Sequence, residues 1–415
     1  MSEALNLSPD HLAVIYRVSG MMNSSLDFDT ALENIMGAVM TVVNAERGFM
    51  LRVDEATGEP SVLVARGPTN DTEGYSTTIV NQVIKTRQPM LTNNAQFDDR
   101  YQPGQSIIIR GLRAILCAPL LIKDRLIGVI YVDTSMRTGN FTPGDRDLLG
   151  AVAAHAAIAL ENARLYSLAV EQGRLMRELQ MAREIQESLL PQHMPQMPGY
   201  EIAAHWESAR EVAGDFYDVF ALGDDHFAVV IADVSDKGAP AALFMAVART
   251  MIRTMAHAGS TALDTLSHTN DLILEDAESG MFVTVYFSMY RTGGMVEHVN
   301  AGHNPSILYR HNEKRAFLLP QGGRAIGWFP DNPLRRDEIR MQPGDICVYY
   351  TDGVSEASNR ADQMYGEERL IAALQRNAHL PADQILSAIL KDVDAFCEDV
   401  DPFDDQTLVV VRFTG

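Results

Sequence analysis

Apolar residues recur at three- and four-residue spacing over residues 12–22 and 31–43, which predicts two opening helices with Ser24, Ser25, Asp27 and Asp29 as stop and cap signals between them. Strand-like runs follow at 48–53 and 61–65, then a helix at 76–86, and then a hairpin formed by 114–122 and 126–132. This order predicts helices flanking a central antiparallel sheet. From 144 to 190 there is no proline, so one long helix or two abutting ones is expected. Within it Val152, Ala156, Ala159, Ala163, Tyr166 and Val170 step by four and three, like the seam of a coiled coil. After Gly173 the seam restarts at Leu175, Leu179, Ala182, Ile185 and Leu189 in a shifted register. The pattern reads as a dimerising signal helix; the alternative is an amphipathic helix packed on one of its neighbours.

Pro191, Pro195 and Pro198 then mark a boundary. Beyond it the pattern turns strand-rich, with runs at 201–206, 216–222, 227–232, 282–290, 294–299, 306–309, 346–350 and 407–413. Helices fit 241–257, with Pro240 tolerated at the start, and 262–275, 367–377 and 381–399. Two helical pairs covering a double antiparallel sheet account for both sets. The unbroken apolar run 227–232 fits a strand buried on both faces, and it delivers Asp233 where the chain leaves the sheet. Asp233 is the first candidate for a metal ligand. Acidic residues recur at strand ends in Gly214-Asp215, Ala232-Asp233-Val234, Thr351-Asp352-Gly353 and Asp404-Asp405-Gln406-Thr407. Singly, each is an ordinary turn or cap residue; together they predict carboxylates converging on one edge of the sheets.

Composition narrows the options. At 415 residues the chain is too long for one ordinary core, and an apolar share of 46% fills two. A formal charge of -21, from 34 Lys plus Arg against 55 Asp plus Glu, argues against nucleic acid as a partner and against a metal-dependent nuclease. Cys117, Cys347 and Cys397 stand at neither disulfide-framework nor metal-ligand spacing, so a reducing, cytoplasmic setting is expected. With no basic-then-apolar leader pattern and no run of about 18 apolar residues, neither export nor membrane insertion is expected.

The succession of elements over about residues 20–165, with Ser24-Ser25-Leu26-Asp27, Ala45-Glu46-Arg47-Gly48, Leu120-Leu121-Ile122 and Ile127-Gly128-Val129-Ile130, resembles a GAF domain. The resemblance implies a sensory module for a small-molecule or protein signal, of a kind that often dimerises. The segment from Asn93 to Asp99 echoes only part of the cyclic-nucleotide signature of that family. Cys117 reads as a small buried hydrophobe, and His155 and His11 read as structural, so no cofactor is assigned here. The helix end Ala182-Arg183-Glu184-Ile185-Gln186-Glu187-Ser188-Leu189-Leu190-Pro191 resembles the linker of RsbU-like phosphatases.

Residues 198–415 resemble a SpoIIE-type phosphatase of the metal-dependent PPM family. The matches are Val212-Ala213-Gly214-Asp215-Phe216-Tyr217-Asp218, Ala232-Asp233-Val234-Ser235-Asp236-Lys237-Gly238, Ala241-Ala242-Leu243, Asn300-Ala301-Gly302-His303-Asn304-Pro305, Tyr350-Thr351-Asp352-Gly353-Val354-Ser355-Glu356-Ala357, Tyr365-Gly366-Glu367 and Asp404-Asp405-Gln406-Thr407. The resemblance implies removal of phosphate from serine or threonine with two Mn2+ or Mg2+ ions. It assigns Asp233 as the bridging carboxylate, the Val234 carbonyl as a further ligand, and Asp215, Asp352 and Asp404 as the remaining catalytic, metal-binding carboxylates. Asp404 is preferred over Asp405, which stands where relatives often carry Asn. Oxygen ligands suit such hard cations, and two ions acidify a water and neutralise phosphoryl oxygens, so no side-chain nucleophile is required. Ser235 accordingly reads as a turn residue. His303 reads as a turn residue rather than a general acid, and Arg210 as a surface ion-pair partner rather than a phosphate clamp. Ala213 and Asp236-Lys237 depart from the family pattern.

The expected organisation is α+β: an N-terminal helix at 1–22, a GAF domain at 23–165, a helical linker at 166–197 and an α-β-β-α phosphatase domain at 198–415. The expected function is GAF-regulated hydrolysis of a phosphoserine or phosphothreonine protein in a homodimer. The resemblance implies a STAS-fold anti-sigma-factor antagonist as substrate. The alternative is a non-catalytic sensor scaffold that keeps the phosphatase fold for protein binding.

Overall fold

The computed structural model describes residues 28–54, 56–68, 74–93, 114–134, 141–259, 261–276, 280–320 and 322–415, besides 9, 13 and 16. The expected helix at 12–22 thus lies outside the described residues except at Ala13 and Tyr16, and so do Ser24, Ser25, Asp27, His11 and the Asn94 to Asp99 segment, whereas Asp29 falls in the first turn of the next helix. The chain divides into two compact units, Met1–Gln172 and Gly173–Gly415.

In the first unit an antiparallel sheet has the order β2-β1-β5-β4-β3, with β1 Arg47–Val53, β2 Pro60–Arg66, β3 Met90–Thr92, β4 Ala114–Ile122 and β5 Arg125–Thr134. Helices cover both faces, so β4 and β5 are apolar almost throughout while still dividing their side chains with a period of two. Leu116, Ala118, Ile130 and Val132 pack with Leu32, Ile35 and Met36 of α1 Phe28–Val43 and with Leu148, Leu149 and Val152 of α3 Pro143–Leu189. Ile115, Cys117, Val129 and Tyr131 pack on the other face with Ile79, Val80 and Val83 of α2 Thr77–Thr86. Helix α2 is capped by the Ser76 side chain, which accepts from the Ile79 N–H, and Arg87 closes it in the left-handed region. Asp133, fully buried, is held by a two-pronged ion pair from Arg47 at 2.8 and 2.7 Å.

Helix α3 is one unbroken helix of 47 residues. Val152 and Ala156, expected in its seam, are buried in the core of the first unit, whereas Tyr166, Val170, Leu175 and Ile185 are exposed.

The second unit is an α-β-β-α sandwich. One sheet has the order β13-β10-β9-β8-β7 and the other β12-β11-β14-β15-β6. The first comprises β7 Phe216–Ala221, β8 His226–Val234, β9 Val283–Arg291, β10 Met295–Ala301 and β13 Arg336–Arg340. The second comprises β6 Tyr200–Glu207, β11 Ile307–Arg310, β12 Arg315–Leu318, β14 Ile346–Tyr350 and β15 Gln406–Phe413. Helices α4 Ala239–His257 and α5 Ala262–Asp276 contact the first sheet, and α7 Gly366–Asn377 and α8 Ala382–Cys397 the second. The inner faces meet around Phe227, Tyr290, Tyr349, Val409 and Val411. Segment 173–197, read from the sequence as mostly connector, contributes Leu190 and Met197 to this core.

Strands β12 and β13 escape the sequence pattern because each lies at a sheet edge with half-exposed, charged residues. Strand β8 continues to Val234, so Asp233 lies within the last pairs of the ladder, opposite Thr284, rather than beyond it. Among the described residues no helix is long and apolar enough to cross a membrane.

Candidate active site

Two strand pairs bring the acidic motifs to one end of the sandwich. Phe216 pairs with Ala232 across β7 and β8, which sets Asp215 and Asp233 at the same end of the first sheet. Tyr350 pairs with Leu408 across β14 and β15, which carries Asp352, at the start of the one-turn helix α6 Asp352–Ser355, and the Asp404-Asp405 pair to the matching end of the second. Polar bonds then tie the sheets together. Thr407 Oγ1 donates to Asp215 Oδ2 at 3.3 Å, and Trp206 Nε1 donates to the Asp215 carbonyl at 2.9 Å. The Thr351 N–H donates to the Thr407 carbonyl, and the Thr407 N–H to Thr351 Oγ1, each at 3.1 Å.

The two neighbouring aspartates do different work. Asp405 accepts the Ala209 N–H on one oxygen and the Gly214 N–H on the other, each at 2.9 Å, and thereby fastens the loop that presents Asp215. Asp404 turns toward a cleft of about 130 Å3 that is also lined by Asp233, Val234, Lys237, Arg210 and Phe403. Asp215 sits behind Asp233 with 3% of its surface exposed. Asp352 does not line the cleft but interacts electrostatically with both Asp233 and Asp404.

Crowding of carboxylates leaves a clear mark. Burial, then the charges of Asp233 and Asp405, pushes Asp215 well above the usual carboxylate range. Burial, then Asp352, raises Asp233 to about 7, against the partial offset of a hydrogen bond with Asp215. Asp352 is raised by burial and by Asp404; Asp405 is raised by burial, opposed by its N–H donors. Among the described residues no three His, Cys, Asp or Glu side chains stand in ready-made ligating geometry. The repulsion is met instead by hydrogen bonding between Asp215 and Asp233 and by the Lys237 ammonium, 2.7 Å from Asp404 Oδ2. Even so, the donor set fits hard divalent cations: it is all oxygen and carries surplus negative charge.

Other sequence candidates find their places. His303 is 2% exposed, its Nδ1 is 2.8 Å from Thr284 Oγ1, and its N–H and carbonyl are held by Asn300; burial lowers its pKa to about 4, so it is a neutral structural ring. Ser235 exchanges two bonds of 2.9 Å with the Phe282 backbone and ties the ends of β8 and β9 together. Arg210, expected in a surface ion pair, has no acidic partner among the described residues and lines the cleft. Cys117 and Cys347 are buried and Cys397 is half-buried; all are free thiols.

Two contributors were not singled out in the sequence. Gly353 lies so close to the acidic loop that an added Cβ would stand 2.0 Å from the Asp405 carbonyl oxygen. Gln186, near the end of α3 and 4% exposed, donates from Nε2 to the Ala213 carbonyl at 2.8 Å and accepts the Ala213 N–H at 3.1 Å. It holds both polar groups of a residue two positions before Asp215. In the sequence it stands within the helix end that resembles the linker of RsbU-like phosphatases, but nothing in the local spacing marks it out from its neighbours. Gln186→Leu is expected to leave both groups unpaired and to destabilise the second unit by about 2 kcal/mol or more, measured by urea unfolding; an unchanged midpoint would remove Gln186 from the support of the site.

Residues 223–414 match the family described as Stage II sporulation protein E (SpoIIE), and residues 25–161 match the GAF domain. Protein IcfG of Synechocystis is 32% identical over 262 residues, 56% of this chain and 41% of that protein. Phosphoserine phosphatase RsbU of Bacillus subtilis is 26% identical over 243 residues, 57% of this chain and 70% of that one. The chain thus spans less than half of IcfG. Among solved structures, the SiaA-PP2C domain of Pseudomonas aeruginosa superposes with a TM-score of 0.53 at 22% identity, covering 59% of this chain and 99% of that domain, which establishes the fold. The chain therefore carries a GAF domain over residues 25–161 and a SpoIIE-type domain over residues 223–414.

Proposed function

We propose that the second unit hydrolyses phosphoserine or phosphothreonine on a protein, with Asp215, Asp233, Asp352, Asp404 and the Val234 carbonyl as the ligands of two Mn2+ or Mg2+ ions. The observation that carries this reading is the convergence of four separate acidic motifs on one end of the sandwich, at a carboxylate density that leaves Asp233 and Asp215 with raised pKa values. When bound, the ions supply positive charge to the phosphoryl oxygens and acidify the attacking water. The protein's part is placement. Thr407 and Trp206 fix Asp215, Asp405 fastens the loop before it, and Lys237 and Arg210 give the rim of the cleft positive charge.

The substrate class implied by the family resemblance is a STAS-type anti-sigma-factor antagonist. The first unit serves as receptor for a small-molecule or protein signal. The exposed apolar residues Tyr166, Val170, Leu175 and Ile185 of α3 support pairing with a second copy in the cytoplasm, and the Gln186 bond to Ala213 supports transmission from that helix to the site. Purified protein is expected to release phosphate from an aryl phosphate and from a phosphoserine STAS protein only when Mn2+ or Mg2+ is supplied. Folded protein inert on both would favour the scaffold alternative.

A further inference from the structure

Beyond lending positive charge to the rim of the cleft, Lys237 stands in a position fixed by its neighbours. It lies between two residues with positive φ, Asp236 at 77° and Gly238 at 80°, and Asp236 Oδ1 accepts the Lys237 N–H at 2.9 Å. A non-glycine residue in the left-handed region costs about 1 kcal/mol, so this turn accepts strain while fixing the Lys237 backbone at the cleft. The ammonium rests 2.7 Å from Asp404 Oδ2 and 4.6 Å from the centroid of the Phe403 ring, which is 80% exposed.

Charge bookkeeping gives this placement a consequence. A phosphomonoester dianion approaching Asp233, Asp404 and Asp405 meets like charge, so it needs a positive group that is free to contact it. In the arrangement seen here Lys237 is engaged by Asp404, and a half-exposed ion pair of this kind is worth only about 0–1 kcal/mol. A divalent cation taken up by Asp404 repels the ammonium and replaces it as counter-charge. The lysine stem has four rotatable carbons and its ammonium already lies over the Phe403 face, so it can leave Asp404 without a backbone change.

We propose that Lys237 is a phosphate-binding residue of this site, parked on Asp404 in the cation-free protein and released to the phosphoryl oxygens of the substrate when divalent cations take Asp404. The proposal rests on the two-ion reading above and assigns a second role to the same carboxylate. It predicts antagonism between Lys237 and metal together with cooperation between Lys237 and phosphate, a pair of opposite signs that simple structural support does not produce.

The test uses the full chain with Lys237→Met, which removes the charge and keeps much of the stem, and Lys237→Arg, which keeps the charge. Mn2+ binding is measured calorimetrically without substrate, and inhibition by inorganic phosphate is measured at saturating Mn2+. Lys237→Met is expected to bind Mn2+ about threefold to fivefold more tightly, the exchange value of an exposed ion pair, and to be inhibited by phosphate at least about tenfold more weakly, in line with loss of a charge-assisted contact. Its KM for a phosphopeptide should rise more than its kcat falls, and Lys237→Arg should restore phosphate inhibition. Unchanged or weaker Mn2+ binding in Lys237→Met, or unchanged phosphate inhibition, would overturn the proposal while the two-ion reading stands. Wild-type protein that binds no Mn2+ would overturn both. Unaltered thermal midpoints, expected at a half-exposed position, show that the variants are folded.

Discussion

Asp233→Asn is expected to lower metal-dependent phosphate release by more than about 100-fold, because even loss of a partner outside the ligand set of a metal site costs up to that factor and Asp233 is proposed as a member of that set. The same substitution should raise the stability of the cation-free protein. A buried acid whose pKa is raised to about 7 binds its proton more tightly folded than unfolded. Folded stability is therefore lost as pH climbs from the ordinary carboxylate value near 4 to about 7, where the folded protein must give up a proton that the unfolded chain has already lost. Removing the group removes this part of the slope, worth on the order of 4 kcal/mol at pH 7.5. Urea unfolding at pH 5 and pH 7.5, with a chelator present, measures it. A variant that is inactive and also less stable at pH 7.5 would indicate that Asp233 supports the fold and not a cation site; a variant that keeps full activity would end its assignment as a ligand.

Gly353→Ala carries the second large effect. The reason is steric and not conformational: the added methyl meets the backbone of the acidic loop, with the Asp405 carbonyl oxygen at 2.0 Å, its carbon at 2.8 Å and the Asp404 carbonyl oxygen at 3.0 Å. No side-chain rotation relieves a backbone clash, so the loop carrying Asp404 and Asp405 must shift. Asp405 would then lose its grip on the N–H groups of Ala209 and Gly214, and the Asp215 loop would follow. Destabilisation of about 3 kcal/mol or more is expected, at or beyond the top of the ordinary overpacking range. Activity should remain low even at temperatures where the variant is fully folded. Wild-type stability and turnover would show that the acidic loop before β15 can shift at this point at little cost.

Much of this was legible in the chain because buried strands announce themselves. The runs that became β4, β8 and β15 are apolar for a reason the structure makes plain: each is covered on both faces. The acidic motifs stood out because carboxylates at the ends of such strands are conspicuous against that background. Edge strands β12 and β13 were hidden because half of each faces water and its composition is that of a loop. Gln186 and Gly353 were hidden for another reason. Their importance lies in what approaches them from 27 and 52 positions away, at Ala213 and Asp405, and proximity across a fold leaves no trace in local spacing. Asp404 and Asp405 show the same limit. Adjacent and chemically identical, they are distinguished by the two N–H groups that Asp405 accepts from the loop before Asp215.

The Gln186 bond also fixes where sensors can be exchanged in proteins of this build. A hybrid joined after α3 discards the side chain that secures Ala213 and detaches Leu190 from its neighbours, so the second unit begins with unpaired backbone groups and a gap in its core. A junction at Gly173, where an added Cβ meets nothing within 4 Å, leaves that half intact. The last turns of the helix thus belong with the second unit, and recombination that trades one N-terminal unit for another is free only upstream of them.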